Sequence, residues 1–151
     1  MIRIEEAIKQ SKFKNDFQKA HINILYTASF LNALTANALK PYNITVQQFN
    51  ILRILRGMYP KAATVKLLTE RMLDKTSNAS RLVEKLRQKG LVERDPCSND
   101  RRRVNVIITE DGLNLLEKAS DVIDKGVLDF NQAMTNDEAA VLNNLLDKLR
   151  G

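Results

Sequence analysis

The sequence predicts a mainly α-helical fold that carries one small β-hairpin. Three observations lead there. Apolar residues recur at spacings of three and four along most of the 151 residues. Two short runs, Leu91–Arg94 and Arg103–Ile108, alternate instead and flank the polar stretch "DPCSND". The composition, 44% hydrophobic but only 5% aromatic and without Trp, suits packing by Leu, Ile, Val and Ala side chains. This apolar fraction excludes general disorder, and the length fits one domain.

The first long element spans residues 13 to 39. Phe13, Phe17, Ala20, Ile24, Ala28, Leu31 and Leu34 form one stripe, and Ile22, Leu25, Tyr26, Phe30 and Ala33 a second. His21 sits on this helix between Phe17 and Leu25 and reads as a partly buried helix residue. Pro41 and Asn43 end the element.

Thr45 and Gln48 have capping-box spacing, with Ile44 and Phe49 in the staple positions, so a second helix runs through Phe49, Leu52 and Leu55 to "GMYP". Thr64 then caps a short helix to about Met72. Asp74 caps another, to Lys89, and Gly90 supplies its left-handed stop. Two short helices joined this tightly make a helix-turn-helix.

The hairpin follows, with Val104, Val106 and Ile108 on one face. Thr109 caps a long helix whose apolar positions are Leu113, Leu116, Ala119, Ile123, Val127, Phe130 and Met134. Thr135 and Glu138 open the last helix, with Ala139, Leu142, Leu145, Leu146 and Leu149 inside.

Charge is segregated along the chain. Net charge is +6 over residues 1–74, +5 over the 29 residues 75–103, and −5 over residues 104–151. A basic middle beside an acidic C-terminal third indicates a face built for an anion. The helix from Asp74 to Lys89 carries it. Ala79, Leu82, Val83 and Leu86 form its core stripe, while Asn78, Arg81, Lys85 and Gln88 form the opposite face, with Thr76 and Ser77 at the start. Short hydrogen-bonding groups followed by long basic ones suit a major groove of ~12 Å width. Amides at a helix N-terminus add phosphate donors.

The run Arg101, Arg102, Arg103 ends the hairpin turn beside this helix. Three adjacent guanidinium groups repel one another, and DNA phosphate relieves that. An extended hairpin lays arginines along a minor groove, and Asp100 can orient a guanidinium through a bidentate pair.

At this point the chain resembles a known family. "DRRRVNVIIT" is similar to the wing signature of the MarR family, with Asp100, Arg101, Arg102, Val106, Ile108 and Thr109 on the pattern. "SNASRLVEKLRQKGLVER" resembles its recognition helix and first wing strand. Ile108 stands where Leu is usual, and Cys97 lies in the wing, whereas redox-sensing members carry their reactive Cys in or near the first helix.

The resemblance implies a winged helix-turn-helix domain flanked by N- and C-terminal dimerisation helices. One MarR-like domain would span residues 1–151, with about 45–109 binding DNA and about 1–40 and 110–151 pairing two chains. The apolar surplus of the terminal helices agrees with such pairing, because a second copy would bury it. The expected function is a sequence-specific DNA-binding transcriptional regulator, a repressor released by a small-molecule ligand. The alternative is a dimeric architectural or protein-interaction module with unspecific DNA binding.

The expected partners are double-stranded DNA with a near-palindromic operator, a second copy of the chain, and a small phenolic or lipophilic effector. For the effector the resemblance directs attention to where the dimer helices meet the winged domain. Tyr26, Tyr42, Phe49 and Arg53 are the residues nominated there, with Phe30 and Phe49 also suited to the core.

Other chemistry finds little footing. His21 is the single histidine, which excludes a His-based metal site within one chain and leaves no catalytic triad. No glycine pattern for a nucleotide is present, so neither catalysis nor a cofactor is expected. One cysteine allows no intramolecular disulfide, and Cys97 reads as a spectator thiol. The N-terminus lacks a signal-peptide core and no run approaches a membrane span, so the expected setting is the cytoplasm, without membrane contact.

Overall fold

The computed structural model describes residues 2–94, 105–127 and 132–151. The chain divides into two compact units, Met1–Val46 and Gln47–Gly151.

The first unit holds a single turn, α1 (Ile4–Ala7), and the long helix α2 (Asp16–Leu39). The helix begins three residues later than the apolar spacing suggests. Asn15 is extended, and its side chain accepts the Gln18 N–H at 2.9 Å, which fixes the N-terminus there. A 3₁₀ turn, Lys40–Tyr42, carries Pro41, and Asn43 ends it in the left-handed region at φ 52°. Phe17, Leu25 and Phe30 of α2 are 86%, 59% and 52% exposed, far above the ordinary exposure of such side chains. His21 is exposed rather than partly buried, because it projects from the open side of this helix.

The second unit opens within α3 (Val46–Met58), whose Phe49, Ile51, Leu52 and Leu55 are buried. Strand β1 (Ala63–Thr64) leads into α4 (Val65–Arg71), capped as expected by Thr64, which accepts the Leu67 N–H at 3.1 Å. The next helix, α5 (Ala79–Gln88), starts later than Asp74. Asn78 is the cap, its Oδ1 accepting the Arg81 N–H at 3.0 Å. Asp74 instead organises the turn before it. Its Oδ1 accepts the Thr76 N–H at 3.0 Å and the Thr76 hydroxyl at 2.7 Å. These donors hold the Asp74 carboxyl below the ordinary carboxylate range.

Gly90, at φ 71°, ends α5 in a Schellman motif. The Gly90 N–H donates to the Arg87 carbonyl (2.9 Å) and the Leu91 N–H to the Leu86 carbonyl (3.0 Å).

Strands β2 (Val92–Arg94) and β3 (Asn105–Ile108) pair antiparallel, with Val92 opposite Ile108 and Arg94 opposite Val106. Strand β1 adds to the far edge of β3, giving the order β1-β3-β2. Val106 and Ile108 point into the core, as the alternation requires, while Val104 lies outside the described residues.

Helix α6 (Glu110–Val122) starts at Thr109, which accepts the Gly112 N–H at 3.1 Å. The same hydroxyl donates to the Gly90 carbonyl at 2.7 Å, and the Thr109 N–H donates to the Leu91 carbonyl at 3.1 Å. One threonine thus joins the end of α5, the end of β3 and the start of α6. Gly112 makes this junction possible, since a Cβ there would meet the Leu91 carbonyl oxygen at 2.2 Å.

The sequence led us to expect one helix from Thr109 to Met134. The α-helical pitch instead ends at Val122, and a wider π turn follows over Ile123–Val127. Gly126 within that turn lowers helix propensity by about 1 kcal/mol relative to Ala. Helix α7 (Asn136–Arg150) has the expected capping box. The Glu138 N–H donates to Thr135 Oγ1 at 3.3 Å and the Thr135 N–H donates back to Glu138 Oε2 at 2.8 Å. Its apolar face is not inside, however. No α7 residue is buried, and Leu142, Leu145 and Leu149 are 43%, 60% and 69% exposed. Apolar spacing marks a face that needs cover, and the described residues of this chain do not supply it.

No helix among the described residues is long and apolar enough to cross a membrane.

Candidate nucleic-acid interface

The ten residues of α5 separate two tasks. Ala79, Val83 and Leu86 are buried, at 3%, 7% and 0% exposure, and hold the helix to the domain. Arg81, Lys85 and Gln88 are exposed on the other side. Among the described residues, neither Arg81 nor Lys85 forms an ion pair, so both cations face outward. Arg87 behaves differently. Its guanidinium forks onto Glu84, with Nε–Oε2 at 3.0 Å and Nη2–Oε1 at 2.8 Å. That pair holds the Glu84 carboxyl below its ordinary range, helped by Gln88 and by the nearby charge of Arg94.

At the helix start, the Asn78 side chain caps the third amide, while those of Ala79 and Ser80 have no partner within the helix. Just before them in the chain are the exposed Thr76, whose hydroxyl is drawn to Asp74, and the half-buried Ser77. The hairpin stem runs alongside. Ser80, Glu84 and Arg87 of α5 share a shallow groove with Glu93 and Arg94 of β2. Thr76, Ser77, Asn78, Arg81 and Lys85 thus lie along the start and outward side of α5, whose neighbouring residues Ser80, Glu84 and Arg87 border the hairpin base. Asp100, Arg101, Arg102 and Arg103, like Cys97, lie outside the described residues.

Of the nominated effector residues, Tyr26 and Tyr42 belong to the first unit and Phe49 and Arg53 to the second. Arg53 places its guanidinium carbon 5.8 Å from the centre of the buried Phe49 ring.

The sequence profile of the MarR family matches residues 42–103. The chain is also similar to a cysteine-to-serine mutant of MarR from E. coli complexed with operator DNA. The identity is 26%, over 92% of this chain and 99% of that one, with a TM-score of 0.74. Over residues 42–103, this chain is similar in sequence to the MarR family. Wild-type MarR from E. coli in its apo form is 28% identical, covering 83% of this chain and 93% of its own, with a TM-score of 0.65. NadR in complex with 4-hydroxyphenylacetate is 25% identical over 93% and 95% of the two chains, with a TM-score of 0.67.

Two groups near the candidate interface escaped sequence reasoning. Arg94 is exposed at the hairpin base, and the register Arg94–Val106 puts it at the end of the described ladder next to α5. A basic residue closing an alternating strand beside a basic helix was a usable signal. The second group is on α3. Asn50 Oδ1 accepts the Leu73 N–H at 2.9 Å, and no local spacing announces a bond between residues 23 apart.

Proposed function

We propose that this chain is a sequence-specific DNA-binding transcriptional regulator of the MarR family. In this reading it acts in the cytoplasm as a homodimeric repressor, and a small phenolic or lipophilic ligand releases its near-palindromic operator. Residues 45–109 bind DNA, and residues 1–40 and 110–151 pair the chains. One observation carries the reading: α5 is fastened by one face while Arg81 and Lys85 stand exposed on the other. Thr76, Ser77 and Asn78 enter with the helix start, and Asp100, Arg101, Arg102 and Arg103 complete the interface from the wing. The MarR relative bound to operator DNA supports the same use of the fold.

The test is a selection of duplexes from genomic DNA, followed by competition gel shifts against random duplex. Arg81→Ala should lose discrimination, on the order of 1–3 kcal/mol if Arg81 reads a base edge. Lys85→Ala should weaken selected and random duplexes alike and reduce the salt slope by about one unit, the mark of a phosphate contact. Equal behaviour of the two variants would show that α5 does not read bases.

Regulation is testable separately. NadR holds 4-hydroxyphenylacetate; in this chain the nominated effector residues are Arg53, as an anion clamp, and the aromatic Tyr26, Tyr42 and Phe49. Millimolar 4-hydroxyphenylacetate should weaken binding to the selected duplex by about tenfold, within the usual range of allosteric coupling. Arg53→Ala should abolish that response while keeping affinity in its absence. A titration without any change in affinity would remove phenolic acids from the candidate effectors.

A further inference from the structure

The segment from Leu73 to Asn78 links α4 to α5 and determines where α5 begins. It contains little backbone bonding of its own, only the Ser77 N–H donating to the Asp74 carbonyl at 3.3 Å. Side chains do the remaining work, and two of them come from α3. Asn50 Oδ1 takes the Leu73 N–H at 2.9 Å, at the first residue of the link. The Gln47 side chain lies near enough to Asp74 to help lower its carboxyl, behind the larger effects of Thr76 and Ser77. At the far end of α5, the Lys89 ammonium lies 3.5 Å from Oε1 of Gln48, a side chain only 2% exposed. Within one turn of α3, Asn50 therefore touches the segment before α5 and Gln48 the residue that caps its end, with Gln47 near Asp74.

We infer that Asn50, assisted by Gln47 and Gln48, is a positioning residue that sets the pose of α5 and thereby the sequence discrimination of the protein. The inference rests on the DNA-reading function of α5 proposed above. Its physical basis is the difference in tolerance between two kinds of contact. A base-edge hydrogen bond works only within a few tenths of an ångström and a narrow range of angles. A phosphate contact from a long lysine or arginine is Coulombic and survives a small shift. Loosening the link should accordingly harm discrimination more than affinity for DNA in general. Asn50 is engaged through its carbonyl oxygen, so an aspartate in its place retains the acceptor.

The experiment uses the full chain. The probes are a duplex selected by the wild-type protein from a random library and an unselected 30-base-pair duplex, each measured by fluorescence anisotropy below the melting range. Asn50→Ala should bind the selected duplex about tenfold more weakly and the unselected one within about twofold of wild type, the scale of one lost hydrogen bond. Asn50→Asp should return the selected-duplex affinity to within about threefold of wild type, since a charged acceptor holds the Leu73 N–H at least as well. If Asn50→Ala does not fold, Gln47→Ala replaces it, with the same direction and a loss of about threefold. An unchanged ratio between the two duplexes, a parallel loss on both, or an Asn50→Asp protein that folds but discriminates no better than Asn50→Ala would each overturn the inference. A wild-type protein that shows no preference for any selected duplex would instead overturn the DNA-reading function itself, and this inference with it.

Discussion

Replacing Leu145 and Leu149 with aspartate should separate the protein into single chains and reduce its affinity for a two-half-site operator at least 100-fold, while a lone half-site loses about threefold or less. Both leucines are more than half exposed on α7, and neither contributes to the core of its own chain. The double variant should therefore retain its helical content and α5. What it loses is the partner. A dimer holds its second recognition helix at a high effective concentration near the duplex, and that gain disappears when the chains part. Sedimentation measures the mass and anisotropy the affinities. A two-fold axis also fixes the distance between the two copies of α5. Successive major grooves on one face of DNA lie ~34 Å or ~10 base pairs apart. Inserting about five base pairs at the operator centre turns one half-site to the far side of the duplex, so wild-type binding should collapse to half-site strength. A protein that sediments as one chain yet still binds the full operator tightly would refute the dimeric reading.

The second large effect concerns folding. Gly112→Ala should destabilise the protein by about 3 kcal/mol or more, at the upper end of overpacking costs. The added methyl would lie 2.2 Å from the Leu91 carbonyl oxygen and 2.7 Å from Cγ1 of Ile108. Rotating a side chain cannot relieve the first clash, because that atom is backbone. Helix α6 would have to retreat from the hairpin, and the Thr109 bonds to Gly90 and Leu91 would stretch with it. For a chain of this size the melting temperature should fall by roughly 6–12 °C. Gly57→Ala makes a fair control, since a Cβ at Gly57 meets nothing within 4 Å and alanine favours the helix. A Gly112→Ala protein that melts with the wild type would show that the junction is not close-packed.

The features legible in the sequence were those whose signal and partner lie within one turn of each other. Thr64, Thr109 and Thr135 each cap the helix that follows, and Gly90 ends α5, because caps are local chemistry. The hairpin strands could be read from alternation alone. The start of α5 could not. Asp74 and Asn78 are both good caps four residues apart, and the choice fell to Asn78 because the Thr76 N–H and hydroxyl occupy the Asp74 carboxylate. Strand β1, two residues long, has no alternation to display and exists because β3 offers it an edge. The last helix shows the limit most plainly. Its leucine spacing reveals an apolar face, but the spacing is the same whether the cover comes from this chain or from another. Asn50 had no sequence signal either, since its partner amide belongs to a distant residue whose own side chain is irrelevant to the bond.

The division of α5 into an anchored side and an open side has an evolutionary consequence. Stability is written at positions 79, 83 and 86, and any reading of DNA at positions 81, 85 and 88. The two sets share ten residues of chain yet no side-chain contact with a common core. Substitutions in the outward set should cost little in folding, within about 0.5 kcal/mol as for other exposed sites. Descendants of this protein can therefore change which DNA they recognise one residue at a time, without passing through a form that fails to fold.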